Sequence, residues 1–183
     1  HYQSGNILSE HEKRELLKTV LFRQKGLPSM EEDQLELLLN QISRYKNDGC
    51  PGVLPDGPQE MPQAGALSKE QFFAVYSAYS REAKERRKLD FDDMVLECRN
   101  LFLQYPSILA AWQKKFRYIL VDEVQDINAM QYEVLRMLAL PENNLFVVGD
   151  DDQSIYAFRG ARPELMLGFQ KDYPQARRVE LSI

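Results

Sequence analysis

The sequence of 183 residues contains only two cysteines and one tryptophan. Cys50 and Cys98 lie far apart, without the CxxC or Cys/His spacing of a zinc site, so we expect no structural zinc and a reduced, cytoplasmic setting. No apolar run approaches the ~20 residues that span a bilayer, and no signal-peptide pattern is present. The sequence therefore argues against a disulfide-rich secreted domain and predicts no membrane partner.

An excess of positive charge is also lacking, because the formal net charge is −5 at pH 7. This argues against a protein whose whole surface attracts nucleic acid, although a few well-placed cations suffice for a local phosphate contact. The one dense basic run, Arg81 to Lys88, places Arg81, Lys84 and Lys88 on one helical face. A solvated helix surface is the simpler interpretation of that run.

The first half of the chain has the pattern of an all-helical lobe. Ser9 begins a capping box, Ser68 and Asp90 begin later helices, and apolar residues follow each at helical spacing. Residues 50–66 are rich in Pro and Gly, and we expect a mobile loop there. In the helix after Asp90, five apolar residues are expected to face a core: Phe91, Met94, Val95, Leu101 and Phe102.

The pattern changes after Arg117, where short apolar strands begin to alternate with helices. The predicted elements are strand 118–121, helix 130–140, strand 145–148, helix 163–170 and strand 178–181. Such alternation is typical of a parallel sheet. The predicted fold class is therefore α/β, with a helical subdomain preceding the sheet.

Two of these strands end in polar clusters. The run YILVDEVQDI, Tyr118 to Ile127, ends an apolar strand in Asp122 and Glu123, and LFVVGDDDQSIYAFRGA does the same farther along. Because ligands of open α/β sheets sit beyond the carboxyl ends of the strands, we expect both clusters at one edge. In phosphoryl transfer, Asp122 would hold Mg²⁺ and Glu123 would orient and deprotonate the attacking water.

The neighbouring residues extend this hypothesis to nucleic acid. Gln125 and Gln153 are neutral amides that can bond a γ-phosphate or the water, while Tyr156 and Phe158 can stack on bases and Arg159 can meet phosphate. The alternative interpretations are that the acids cap the following helix and that the aromatic residues belong to a core. The complete D-E-x-Q-D pattern favours a nucleotide-driven protein that handles nucleic acid.

These motifs resemble those of a known family. VDEVQD and GDDDQSIYAFRGA are similar to motifs II and III of the UvrD/PcrA/Rep-like superfamily 1 DNA helicases. LDFDDM, Leu89 to Met94, resembles the family's DFxDL segment, and ISRYKNDG, Ile42 to Gly49, resembles its I-S-x-x-K-N element. Val124 and Phe158 stand where relatives often carry an aromatic residue and Trp.

The resemblance implies an organisation and a set of partners. Residues 1–88 would form a helical 1B-like subdomain with a loop at 50–66, and residues 89–183 part of the RecA-like, P-loop NTPase domain 1A. ATP and Mg²⁺ are the implied cofactors, and single-stranded DNA and single/double-strand junctions the implied partners. The implied activity is duplex unwinding with movement along one strand, typically 3′ to 5′, with a setting in DNA repair.

Roles for individual residues follow from motif position in the same way. Asp122 is implied as the magnesium ligand, Glu123 as the catalytic base and Gln153 as the sensor of the γ-phosphate. Contact with DNA, or its coupling to ATP, is implied for Tyr156, Phe158 and Arg159.

Some parts that the resemblance requires do not occur in the sequence. There is no GxxxxGK[ST] loop, the chain begins at His1, and it stops before the family's N-Y-R-S element and second RecA-like domain. We therefore expect a fragment of a helicase that is inactive alone, since the phosphate-binding Lys and arginines are missing. Two alternatives stay open: a non-catalytic DNA-binding or interaction module with helicase-like motifs, and part of an AddA/RecB-type helicase–nuclease.

Overall fold

The structure, a computed structural model, describes residues 3–24, 27, 30–49, 67–150 and 163–180, with residues 163–167 as backbone only. The chain forms two compact units, His1–Gln104 and Tyr105–Ile183. The predicted loop at 50–66 lies outside the described residues, and the predicted subdomain boundary after Lys88 stays a prediction.

The first unit is helical. Helix α1 packs against α2 and α3, and α2 also packs against α4. The helices are α1 (Glu10–Arg23), α2 (Glu32–Asn47), α3 (Lys69–Glu85) and α4 (Phe91–Gln104). Their shared core is built from apolar residues that are less than a tenth exposed, including Leu16, Leu17, Leu38, Ile42, Phe72, Val75 and Tyr79.

The starts of α1, α3 and α4 follow the predicted capping signals. Ser9 Oγ accepts a hydrogen bond from the Glu12 N–H at 3.2 Å, and the Glu12 carboxylate accepts from the Ser9 N–H at 2.8 Å. Ser68 caps α3 in the same manner, and Asp90 Oδ1 accepts from the Asp93 N–H at 2.8 Å at the start of α4. These side chains satisfy backbone donors that the first turn of a helix leaves unpaired.

The prediction that five apolar residues of α4 face a core was wrong for three of them. Phe91, Met94 and Leu101 are 66%, 44% and 40% exposed, whereas Phe102 is 4% exposed. Within its unit α4 packs on α2, and one neighbouring helix covers only a narrow stripe of a helix surface.

A short parallel pairing joins the N-terminal segment of the first unit to the connection between α3 and α4. The segment after the 3-10 helix Ser4–Asn6 meets the chain between α3 and α4 through an isolated bridge of Ile7 with Leu89. The Leu8 N–H donates to Leu89 O at 2.8 Å, and the Leu89 N–H donates to Asn6 O at 2.9 Å.

The second unit combines helices with a small sheet. Its elements are α5 (Pro106–Lys115), β1 (Ile119–Val121), the 3-10 helix Val124–Asp126, α6 (Ala129–Ala139), β2 (Leu145–Val147) and α7 (Pro163–Asp172). Strands β1 and β2 are parallel, with Ile119 opposite Leu145 and Val121 opposite Val147. The described residues are mostly helical with a small parallel sheet, which agrees with the predicted α/β class and confirms the first two predicted strands, whereas the RecA-like topology stays a prediction.

The third predicted strand, 178–181, was wrong for the residues that the structure describes. Residues 178–180 form no strand, and Val179 is 68% exposed. A strand is stabilised by ladder hydrogen bonds and by burial of one face, and residues 177–180 are all exposed, so neither face of this segment is buried. Within the described ranges, no helix is both long and apolar enough to cross a membrane.

Candidate functional site

The carboxyl ends of β1 and β2 stay side by side after the strands end. The Val148 N–H donates to Val121 O at 2.8 Å, and the Val124 N–H donates to Val148 O at 3.0 Å. Because both strands end at one edge, Asp122 and Glu123 follow β1 at the point where Gly149 and Asp150 follow β2. The first polar cluster and the beginning of the second therefore meet, as the sequence predicted.

Glu123 turns the chain through an uncommon backbone conformation. Its φ of 52° and ψ of 44° lie in the left-handed region, which costs a non-glycine residue on the order of 1–3 kcal/mol. The turn continues into the 3-10 helix Val124–Asp126, where the Asp126 N–H donates to Glu123 O at 2.9 Å. The Asp122 and Glu123 side chains are both exposed, beyond the end of β1.

The alternative that the two acids cap the next helix is not supported. Helix α6 begins at Ala129 and is capped by Asn128, whose Oδ1 accepts from the Gln131 N–H at 2.8 Å. Glu123 precedes the 3-10 helix but its side chain makes no capping hydrogen bond there. The carboxylates of Asp122 and Glu123 therefore do not perform the structural role that acids most often have at such a boundary.

A buried amide holds the Glu123 carboxylate. Gln125 is 1% exposed, and its Nε2 donates to Glu123 Oε2 at 2.6 Å. At the other end of the same amide, Gln125 Oε1 accepts from the Asp150 N–H at 3.0 Å. One side chain thus connects an exposed carboxylate after β1 to the main chain after β2.

Asp122 has the chemistry of a magnesium ligand. Its Oδ1 accepts from the Glu123 N–H at 3.0 Å, and the carboxylate faces solvent. Within the described part of the chain, no group of three or more His, Cys, Asp or Glu residues is placed to hold a metal ion. Mg²⁺ typically binds through one or two carboxylates plus water and substrate phosphates, and an exposed carboxylate such as that of Asp122 has the chemistry of one such ligand.

Asp126 is a feature of the site to which sequence reasoning assigned no role. Its Oδ1 is buried without a hydrogen-bond partner among the described residues, a costly arrangement for a carboxylate. Helix α7 packs against the 3-10 helix that carries Asp126, and Tyr132 Oη donates to Asp172 Oδ2 at 2.8 Å. The signal available in the sequence was the position of Asp126 inside D-E-x-Q-D.

The structure brings together three of the predicted site residues, Asp122, Glu123 and Gln125. The other four lie outside the described residues, in the segment 151–162: Gln153, Tyr156, Phe158 and Arg159. Sequence reasoning missed the main-chain N–H of Asp150 as a member of the site, because a backbone donor leaves no residue-specific signal.

The basic run at the end of α3 is partly neutralised within its own unit. Arg86 pairs with Glu82 at 2.7 Å, and Lys88 Nζ lies 2.8 Å from Glu12 Oε1 and 2.9 Å from Gly5 O. These contacts remove Lys88 from the predicted cationic face and agree with the simpler interpretation of a solvated helix surface.

Comparison with known proteins identifies a family for this chain. Residues 2–174 match the UvrD/REP helicase N-terminal domain. The chain belongs to this family. It is similar to the putative ATP-dependent DNA helicase YjcD of Bacillus subtilis, with 42% identity over 173 residues that cover 94% of this chain and 22% of the relative.

Other relatives carry a related name. The ATP-dependent DNA helicase PcrA of Staphylococcus aureus is 36% identical over 175 residues, which cover 96% of this chain and 23% of PcrA. PcrA of Leuconostoc citreum is 38% identical over 176 residues, which cover 96% and 22% respectively. The chain therefore spans less than a quarter of the length of these relatives. The domain that it matches is named the N-terminal domain of UvrD/REP helicases.

Proposed function

We propose that this chain is the part of an ATP-dependent DNA helicase that supplies the magnesium-binding and water-activating carboxylates. The observation that carries the proposal is the exposed Glu123 carboxylate at the end of β1, held at 2.6 Å by a buried amide. Membership of the UvrD/REP family and the names of the relatives support the same conclusion. An exposed carboxylate held in one orientation is what a general base requires.

The roles of the two acids follow from their surroundings. Asp122 would hold Mg²⁺, and the ion, when bound, would neutralise charge on the phosphate oxygens of ATP. Glu123 would orient the attacking water and accept its proton, with its carboxylate aimed by Gln125. For the second motif, we propose that Gln153 senses the γ-phosphate and that Tyr156, Phe158 and Arg159 contact DNA or couple it to ATP.

The remaining parts of the machinery are proposed to come from a longer polypeptide. The sequence contains no GxxxxGK[ST] loop, so a phosphate-binding Lys and the arginines of a second RecA-like domain would have to be supplied from outside this chain. We therefore propose that the isolated chain hydrolyses ATP negligibly. The intact protein would act on single-stranded DNA and at junctions, in the cytoplasm and in DNA repair.

A chimeric helicase tests this proposal. The matching 175 residues of S. aureus PcrA are replaced by this chain, and ATP hydrolysis with and without single-stranded DNA is measured together with duplex unwinding. The expected result is hydrolysis that depends on Mg²⁺ and is stimulated by DNA, with unwinding retained. A chimera that is folded and binds DNA but hydrolyses no ATP would favour the non-catalytic module instead.

A further inference from the structure

Both ends of the Gln125 side-chain amide form hydrogen bonds within the protein. Its Nε2 donates to Glu123 Oε2 at 2.6 Å, and its Oε1 accepts from the Asp150 N–H at 3.0 Å. We propose that Gln125 is a positioning residue, which sets the orientation of the Glu123 carboxylate according to the position of the main chain at Asp150. This inference rests on the proposed function, in which Glu123 is the base.

The burial of Gln125 favours a positioning role over direct contact with the nucleotide, which the sequence had suggested for this residue. The residue is 1% exposed, whereas Glu123 is exposed. A phosphate approaching from solvent would have to displace a hydrogen bond to a carboxylate, which is stronger than a bond between neutral groups. The Glu123 carboxylate therefore faces the ligand, and the Gln125 amide lies behind it.

The hydrogen bonds from Glu123 through Gln125 to Asp150 form a bridge, and its chemistry requires an amide at position 125. One end must donate to a carboxylate and the other must accept from a backbone N–H, and Gln offers both on a single planar group. Glu at position 125 would keep the acceptor for Asp150 but would place a second carboxylate beside Glu123. Met, of similar length, would provide neither hydrogen bond. The two substitutions therefore separate the two halves of the bridge.

The backbone around Glu123 leaves its side chain as the adjustable element. The turn is fixed on both sides, because the Val124 N–H donates to Val148 O at 3.0 Å and the Asp126 N–H donates to Glu123 O at 2.9 Å. A shift of Asp150 would instead be transmitted through Gln125 to the carboxylate. In the sequence, Asp150 is the second residue of GDDDQSIYAFRGA, so the hydrogen bonds of Gln125 connect the beginning of that motif to the base.

Amide hydrogen exchange in the full chain tests the bridge without any nucleotide. Exchange at the Asp150 N–H should accelerate at least about threefold in Gln125→Met, which removes the acceptor of its hydrogen bond. It should also accelerate in Glu123→Ala, because the amide loses its anchor at the carboxylate. The Val148 N–H, which bonds Val121 O, serves as the matched control and should not change.

Two exchange results would overturn the inference. An Asp150 N–H that exchanges equally fast in the wild type and in Gln125→Met would show that Gln125 does not hold it. Acceleration in Gln125→Met with none in Glu123→Ala would show that the two ends of the amide are not coupled. Neither result depends on ATP hydrolysis, so the bridge can fail while the proposed function stands, and the reverse.

Steady-state kinetics in the PcrA chimera distinguish positioning from nucleotide contact. Both Gln125→Met and Gln125→Glu should lower kcat by about 10–100-fold, the usual effect of losing a group that orients a functional side chain, with little change in KM for ATP. A raised KM with kcat unchanged would assign Gln125 to direct nucleotide binding and would contradict the positioning role.

Discussion

The Nζ of Lys46, at the end of α2, lies 2.7 Å from the Asp90 Oδ2 at the start of α4, and the Lys46 side chain is fully buried. Asp93 Oδ1 lies 2.6 Å from the same Nζ, and the Tyr79 ring centroid is 5.4 Å away. The contact joins ISRYKNDG to LDFDDM, two segments that the sequence had connected with the helicase family only by resemblance. In this protein they form one buried cluster of charges.

The charges of this cluster depend on one another. Burial alone would raise the pKa of Asp90, but the Lys46 ammonium overcomes it and holds that pKa below its ordinary value. Burial and the nearby Asp90 carboxylate raise the pKa of Asp93 despite the same ammonium. Burial would lower the pKa of Lys46, and the two carboxylates reverse this and raise it. One cation therefore compensates two acids.

Substitution of Lys46 by Met should destabilise the protein strongly. Two neighbouring carboxylates would lose the cation that compensates their charge, and removing one member of a buried ion pair typically costs about 3–5 kcal/mol. The free energy of unfolding, measured by urea denaturation at pH 7, should fall by that amount. The loss should shrink as the pH approaches about 4, because protonation of Asp90 or Asp93 removes the repulsion.

Lys18→Met is the matched control for Lys46→Met. Lys18 pairs with Glu32 at 2.6 Å, but its side chain is 40% exposed. An exposed pair of this kind contributes little to stability, so Lys18→Met should change the free energy of unfolding far less than Lys46→Met. If Lys18→Met and Lys46→Met lose the same stability, burial does not govern the contribution of the Lys46 cluster to folding.

The end of α3 offers a stabilising substitution. Arg87 has a φ of 53°, and its N–H and that of Lys88 donate to Lys84 O and Ala83 O at 3.0 and 2.9 Å. This is the hydrogen-bond pattern of a helix end that usually carries Gly. Arg87→Gly should therefore raise the free energy of unfolding by up to about 1 kcal/mol, since relief of the left-handed strain exceeds the added flexibility of the unfolded chain.

Arg87→Ala provides the comparison for Arg87→Gly. It removes the same side chain but keeps a Cβ at the positive φ, so it should not stabilise the protein. Thermal unfolding of the three proteins measures the difference. Equal melting temperatures for Arg87→Gly and Arg87→Ala would mean that backbone strain at this position is negligible.

Acid should weaken the contact between Glu12 and Lys88. The hydrogen bond from Lys88, helped by bonds from Ser9, lowers the pKa of Glu12 from an ordinary value of 4.5 to about 2. Because the folded-state pKa is the lower one, the contact stabilises the protein fully above about pH 4.5 and is lost as the pH falls towards 2. The melting temperatures of wild type and Glu12→Gln should therefore differ at pH 6 and converge near pH 2.

The hydrogen bond from Tyr132 to Asp172 should anchor α7 to α6. Burial, together with the Asp172 carboxylate, raises the pKa of Tyr132, so the hydroxyl stays a donor at all ordinary pH values. Tyr132→Phe should lower the free energy of unfolding by roughly 1.5–3 kcal/mol, the usual range for a bond to a charged acceptor. Tyr105, whose side chain is exposed, provides the control: Tyr105→Phe should leave urea unfolding unchanged.

Local features of the fold were predictable from the sequence. Ser9, Ser68 and Asp90 begin helices as expected, because capping depends on a few neighbouring residues. The exposed Phe91 and Met94 were not predicted, since helical periodicity shows which residues share a face but not whether a neighbour covers it. The buried Lys46 cluster was also missed, because its members are far apart in sequence.

The candidate site was predictable in part for the same reason. The end of an apolar strand and the adjacent acids identified Asp122 and Glu123, and the parallel pairing of β1 with β2 brings Asp150 beside them. The orientation of Gln125 was not predictable, because an amide after a strand can turn towards solvent or towards the protein. The burial of Gln125 and its hydrogen bonds to Glu123 and Asp150 show that the amide turns towards the protein.

The proposed role of Glu123 as the base of ATP hydrolysis is tested most directly by the kcat of the PcrA chimera carrying Glu123→Gln. The substitution keeps the size of the side chain and removes its ability to accept a proton. We expect a loss of about 10²–10⁴-fold in kcat with ATP and DNA binding retained. An unchanged kcat in a folded Glu123→Gln chimera would contradict the assignment of the site.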